Sequence, residues 1–221
     1  MTTSSAFRDQ GLRHNLSLPH GRHHLSRELV RASQRGRILD AMADVVSEKG
    51  YAAATVGDVT ARAGVSRKTF YEQFEDKQSC FLAGFDAGVA VLVSHLREKT
   101  AGQSGWHERL KIGLEAFFKL LSEEPAFTRC LAIDAFAAGA DARRRRAALV
   151  AGFAEVYRRT NIEARQEDQA IVEIDIQIAR AIAGGVDEVL RGYVEENRIE
   201  QLPEVVPELL EFVASNVARH A

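Results

Sequence analysis

The chain of 221 residues is most informative first for what it lacks. It has only 2 cysteines, Cys80 and Cys130, so a disulfide framework is excluded and a reducing compartment is expected. Both fit buried helix positions better than a redox pair. Only 4 prolines interrupt the sequence. No apolar/polar alternation is long enough for a strand, which argues against any sheet. No unbroken run of about 18 apolar residues occurs, so no membrane helix is expected. The N-terminus has no apolar stretch of the signal-peptide kind, and a cytoplasmic location follows as an expectation. No HExxH, phosphate loop or nucleophile–base pattern is visible, so no enzyme, catalytic residue, metal or cofactor is expected. His20, His23 and His24 cluster without a cysteine or carboxylate partner pattern, which fits a tail better than a metal site. Charge of one sign is also missing, the net being -2.

That near-neutrality is unevenly spread. Residues 1–77 hold 12 Lys and Arg against 9 Asp and Glu, whereas the remainder is acidic. A basic N-terminal part on an acidic body suits a protein that meets phosphates with one face. Within that part, the segment Thr55–Lys77, TVGDVTARAGVSRKTFYEQFEDK, is the most informative. Val56, Val59 and Ala63 form a helical stripe behind Thr55, an N-cap residue, with Asp58 three positions on. Gly64 follows where a helix end needs positive φ. Ser66 caps a second short helix, and Val65 with Phe70 forms a hydrophobic staple. Phe70 and Phe74 face inward; Lys68 and Glu72 face outward, with Arg67 and Tyr71 on a flank. Two short helices about a glycine turn, the second polar, basic and aromatic, outline a helix-turn-helix.

The flanks agree. Ile38, Met42, Val45 and Val46 give an inward stripe to a preceding helix over about 26–48, stopped by Gly50. Asp76 caps a long helix that begins at Lys77. Over Arg37–Phe85 the residues ILDAMADVVSEKG (Ile38–Gly50), VTARAG (Val59–Gly64), VSRKTFYEQF (Val65–Phe74) and Asp76-Lys77 resemble the DNA-binding domain of the tetracycline-repressor-like (TetR) family. The resemblance implies an all-α protein of about nine helices. It would have a flexible arm (1–25), a three-helix helix-turn-helix domain (26–80) and a helical effector-binding and dimerisation domain (81–221). It also implies a homodimer on a palindromic double-stranded operator, released by a small-molecule effector. Carried over position by position, Arg67, Lys68 and Thr69 are expected at base edges, and Thr55, Tyr71 and Lys77 at phosphates.

Beyond residue 78, helical patterns fall at about 77–99, 106–122, 125–138, 141–164, 167–196 and 204–219. Ile178, Ile182, Gly185 and Val189, with Val206, Leu210, Val213 and Val217, form stripes expected to pair two subunits, though each stripe also fits an ordinary core. A mostly apolar effector pocket is expected among Trp106, Phe117, Phe127, Phe153 and Tyr157. His95, Arg129, Asp134 and Asp175 are its polar candidates. The run Arg143–Arg146 is expected to be a solvated helix start. A hydrophobic or amphipathic effector fits this lining. The alternatives are an architectural or protein-binding DNA-associated dimer with no effector, and a helical enzyme with a DNA-binding head.

Pro19 and Gly21 resist helix, which puts Arg22 either on a short basic arm of the kind that enters a narrow minor groove or on a plain flexible tail, and the arm reading is the one a deletion tests. Deleting residues 1–24 is then expected to lower operator affinity and flatten its salt dependence. Titrations at several salt concentrations check this, and unchanged values remove Arg22 from the interface.

Overall fold

The computed structural model describes residues 27–220, so Arg22, the remaining 1–25 arm and the Ser26 cap lie outside the described residues. Helix α1 spans Arg27–Lys49, α2 Val56–Ala63, α3 Arg67–Tyr71, α4 Lys77–Thr100 and α5 Trp106–Glu123. A run labelled α6 follows in three joined pieces, Pro125–Arg129, a π turn Cys130–Asp134, and Ala135–Ala137. Helices α7 (Ala140–Glu167), α8 (Ile176–Glu195) and α9 (Val206–Val217) complete the chain, with a 3-10 turn Ile199–Val205 before α9. The described residues thus form an all-α fold of nine helices and no strand, as the sequence implies.

Local rules account for the short elements. Thr55 and Asp58 form a reciprocal capping box, and Gly64 closes α2 in the left-handed region at φ 63°. Ser66 accepts from Thr69 N at the start of α3, and Asp76 forms a second capping box with Ser79 on α4. Helix α1 packs on α2, α4 and α6, so the first domain is stitched to the body from the start. Helix α4 crosses the boundary expected at residue 80 without a break. By length and composition it could span a membrane. Its apolar residues instead meet α1, α5 and α7 in one continuous core.

One boundary differs from the sequence reading. The helix expected over 167–196 begins only at Ile176, and Asp175 is its N-cap, accepting from Gln177 N and Ile178 N. Residues 168–175 leave the helix, turning at 169–170, because Asn161, fully buried, holds the residues that follow the turn. Its Nδ2 donates to Val172 O and Val217 O, and its Oδ1 accepts from Ile174 N. Ile171 and His220 form an isolated bridge there. Three backbone bonds from one buried amide outweigh the weak helical preference of a segment containing Ile171, Val172 and Ile174.

The Phe127 ring of α6 sits on Gly88 of α4 so closely that a Cβ at 88 would overlap it. Gly88→Ala is expected to destabilise the protein by about 1–3 kcal/mol through overpacking. Gly113→Ala, whose Cβ would meet only Thr100 Cγ2 at 3.6 Å, is expected to stabilise it by up to about 1 kcal/mol. Thermal denaturation should show melting temperatures moving in opposite directions, by about 2–4 °C per kcal/mol.

Candidate nucleic-acid interface and effector cavity

Helix α3 is short and held on one side only. Phe70 is fully buried, and its ring centroid lies 5.6 Å from that of Phe74. Helix α1 grips the end of α3 by backbone carbonyls: Arg31 Nη2 donates to Glu72 O and Arg35 Nη1 to Gln73 O. Gln73 Nε2 returns a bond to Arg31 O, and the Arg35 guanidinium lies over the Phe74 ring. The opposite side is left to solvent. Arg67 and Lys68 are exposed, Thr69 is half-buried, and Tyr71 is 57% exposed despite its apolar ring. The Arg67 guanidinium reaches back to Gly57, 3.1 Å from where a Cβ there would stand, so the glycine makes room for it. That role of Gly57 was not legible beforehand, because it depends on a rotamer of a residue ten positions away.

Two expected phosphate contacts have other work. The Thr55 hydroxyl donates to Asp58 Oδ2 and accepts from Asp58 N, so it has no proton left for a phosphate oxygen. Lys77 Nζ donates to Tyr51 O and Ala54 O and lies 4.2 Å from the Tyr51 ring centroid. Thr55 thus braces the domain in place of the hydroxyl-to-phosphate role expected of it, and Lys77 braces it with two of its three protons. Asp58 also receives Lys49 Nζ, and these bonds hold its carboxyl down at about 2.

In the body, a cavity of about 30 Å³ lies between α5, α6, α7 and α8. Of the expected pocket residues, Phe117, Phe153 and Tyr157 line it, together with Leu131, Val186 and Leu190. The others do not. Phe127 fills the Gly88 notch, Asp175 caps α8, and Trp106 and His95 lie elsewhere, half-buried. Asp134 and Arg129 sit at the α1–α6 junction, where Asp134 Oδ1 accepts from Tyr51 N at 3.0 Å. Burial pushes the Asp134 carboxyl above the usual range. The polar pair on the cavity wall is Arg146 with Asp187, joined at 2.7 and 2.8 Å. Arg146 is 7% exposed, so the run Arg143–Arg146 is not uniformly solvated. Sequence reasoning missed it because four arginines in a row look alike, and only the Asp187 position selects among them.

The pairing stripes also divide. Ile182, Val206, Val213 and Val217 are buried within the protomer and belong to its core. Ile178, Gly185, Val189 and Leu210 stay half-buried at its surface. Phe212 is 41% exposed beside Gly185, and a Cβ at Gly184 or Gly192 would meet nothing within 4 Å.

Comparison with known proteins agrees with this architecture. Residues 38–83 match the model of "Bacterial regulatory proteins, tetR family", and residues 85–216 match that of "YsiA-like protein, C-terminal region". The HTH-type transcriptional activator FasR of Mycolicibacterium smegmatis is 32% identical over 106 residues, which span 48% of each protein, about half the length of that relative. The fatty acid metabolism regulator protein of Bacillus subtilis is 21% identical over 82% of this chain and 94% of its own. Among solved structures, FadR from Bacillus subtilis in complex with stearoyl-CoA superposes with a TM-score of 0.72 at 20% identity, covering 81% of this chain and 97% of FadR. FadR from Bacillus halodurans does so with 0.75 at 22%, covering 85% and 97%. A helix-turn-helix presented on α1, a helical body behind it, and family matches spanning both make this chain a member of the tetR family of bacterial regulatory proteins, a transcriptional regulator and not an enzyme.

Proposed function

We propose that two copies of this chain bind a palindromic operator as a repressor, and that an amphipathic acyl ligand entering the body releases them. The carrying observation is the one-sided α3: Phe70 is fully buried while Arg67, Lys68 and Tyr71 project into solvent. An arginine at that edge suits bidentate contact with guanine, while a tyrosine hydroxyl suits a phosphate. Half-sites would lie about 34–36 Å apart, which requires a rigid second copy. The pairing face proposed is the surface part of the stripes, Ile178, Gly185, Val189 and Leu210, joined by Gly184, Gly192 and Phe212. Such a regulator works in the cytoplasm, where its operator is.

The ligand reading rests on the cavity's chemistry and on the stearoyl-CoA held by FadR of Bacillus subtilis. Apolar walls suit an acyl chain, and the Arg146–Asp187 pair gives a polar head something to meet. At about 30 Å³ the cavity is far below the ~300–1,000 Å³ of ordinary ligand sites, so entry must open it. Opening is what lets ligand and DNA select different states.

Operator fragments enriched from genomic DNA, with binding measured by fluorescence anisotropy, test both halves. Stearoyl-CoA is expected to weaken operator binding, and a reporter assay sets the sign, since FasR is an activator. If no acyl-CoA alters affinity, the architectural reading replaces the ligand-responsive one. Arg67→Ala is expected to cost about 1–3 kcal/mol on the best operator and to relax base preference at one position. Equal loss on all sequences would make Arg67 a phosphate contact.

A further inference from the structure

The Arg146 guanidinium does more than face Asp187. Its Nε donates to Leu131 O at 3.0 Å, and its plane lies 4.4 Å from the Phe136 ring centroid. Leu131 belongs to the π turn Cys130–Asp134, the break in the α ladder of α6. Turns of this kind are strained relative to an α-helix and recur at functional sites. A side-chain donor on a carbonyl inside the turn favours that widened register.

The same turn reaches the DNA-binding domain from its other side. Asp134 Oδ1 accepts from Tyr51 N, and Cys130 Sγ donates to Ala43 O at 3.8 Å. Asp134 Oδ2 is buried with no hydrogen bond among the described residues; its nearest cation is Arg129 Nε at 3.8 Å. Such a group is poorly satisfied and is a natural place for a change of state. Tyr51 O in turn accepts from Lys77 Nζ, which also holds Ala54 O, next to the Thr55 cap of α2. Side chains and backbone therefore run without a gap from the cavity wall to the helix-turn-helix.

We infer that the π turn couples the cavity to the DNA-binding domain, with Arg146 and Asp134 as its two positioning residues. This rests on the cavity being the effector site. A ligand that widens the cavity moves α8 and Asp187 from α7. Arg146 follows its bidentate partner and leaves Leu131 O. The turn then relaxes to α register, a shift of about 1.5 Å and 100° per residue, and Asp134 swings off Tyr51 N. The loop before α2 loses its anchor, and α2 and α3 turn relative to the second subunit.

The test uses the full chain, operator DNA and stearoyl-CoA. R146K keeps a charge for Asp187 but loses the Nε bond to Leu131 O; D134A removes the acceptor for Tyr51 N; D134N retains it. D134A, which lies outside the cavity wall, is expected to bind stearoyl-CoA within about threefold of the parent by calorimetry, and R146K, which alters the wall, is compared at ligand concentrations that saturate it. Each should cut the ligand-induced fall in operator affinity by about tenfold, inside the 5–150-fold range of allosteric coupling. D134N should keep most of it. A full ligand response in folded R146K and D134A overturns the inference. D187N takes the place of R146K if that variant does not fold. Without ligand, R146K and D134A combined should change operator affinity no more than the larger effect alone, whereas additive effects also overturn it. If the parent protein itself does not bind stearoyl-CoA, the effector reading falls, and this ligand-free comparison still decides the coupling.

Discussion

A helix of five residues, Arg67–Tyr71, has no stability of its own in water, where helices shorter than about 12–15 residues are marginal. It persists here because Phe70 is drawn wholly into the core and Ser66 caps its start. The carbonyls beyond its end are taken by Arg31 and Arg35 of α1. Everything that α3 presents to DNA is thus positioned by a neighbour. This makes the recognition edge rigid without length. It also makes the edge sensitive to any tilt of α1 or α4, which is a useful property in a regulator. The interfaces of α1 with α4 and α6 are where such a tilt would arise.

The junction is unusually polar for a packed interface. Asp134, Lys77, Gln78 and Cys130 all reach backbone atoms of another element across it. Hydrogen bonds from side chain to backbone fix register as well as distance, which apolar packing alone does poorly. An apolar counterpart is Phe127 on the Gly88 backbone. A movement of α6 must therefore drag α4 by the Phe127 ring or break several polar bonds at once. Either outcome is discrete, which is the condition for a two-state response.

Legibility followed the range of the interactions involved. The caps at Thr55, Ser66 and Asp76, the positive-φ Gly64 and the Val65–Phe70 staple act within a few residues, so the helix-turn-helix could be read directly. The cavity could not. Its wall joins Phe117 to Leu190 across four helices, and nothing local separates Tyr157, which lines it, from Trp106, which does not. Asp134 and Asp175 looked equally like ligand-facing carboxylates, yet one anchors Tyr51 and the other caps α8. The same limit hid the break at 168–175, because the buried Asn161 that imposes it lies in the preceding helix. The stripes on α8 and α9 had a correct period, but a period does not say whether a residue faces its own core or a second copy. Burial in the protomer separates Ile182 and Val213 from Ile178 and Leu210.

The closed cavity carries a thermodynamic consequence. A ligand shifts an equilibrium only by its difference in affinity for the two states, and moving a population from 99:1 to 1:99 takes about 5.5 kcal/mol. On the proposed reading, a space of about 30 Å³ is too small for an acyl chain, so most of its binding energy would become that difference. The Arg146–Asp187 pair works the other way. Moving with Asp187 takes the Arg146 Nε from Leu131 O, and an unmet donor is costly in an apolar wall. A purely hydrocarbon ligand would open the cavity against that cost. A ligand with an anionic or hydrogen-bonding head could give that donor a new acceptor while the pair with Asp187 stays joined. On that reading the wall would favour amphipathic molecules over apolar ones of equal length, and through the arginine that also holds the π turn.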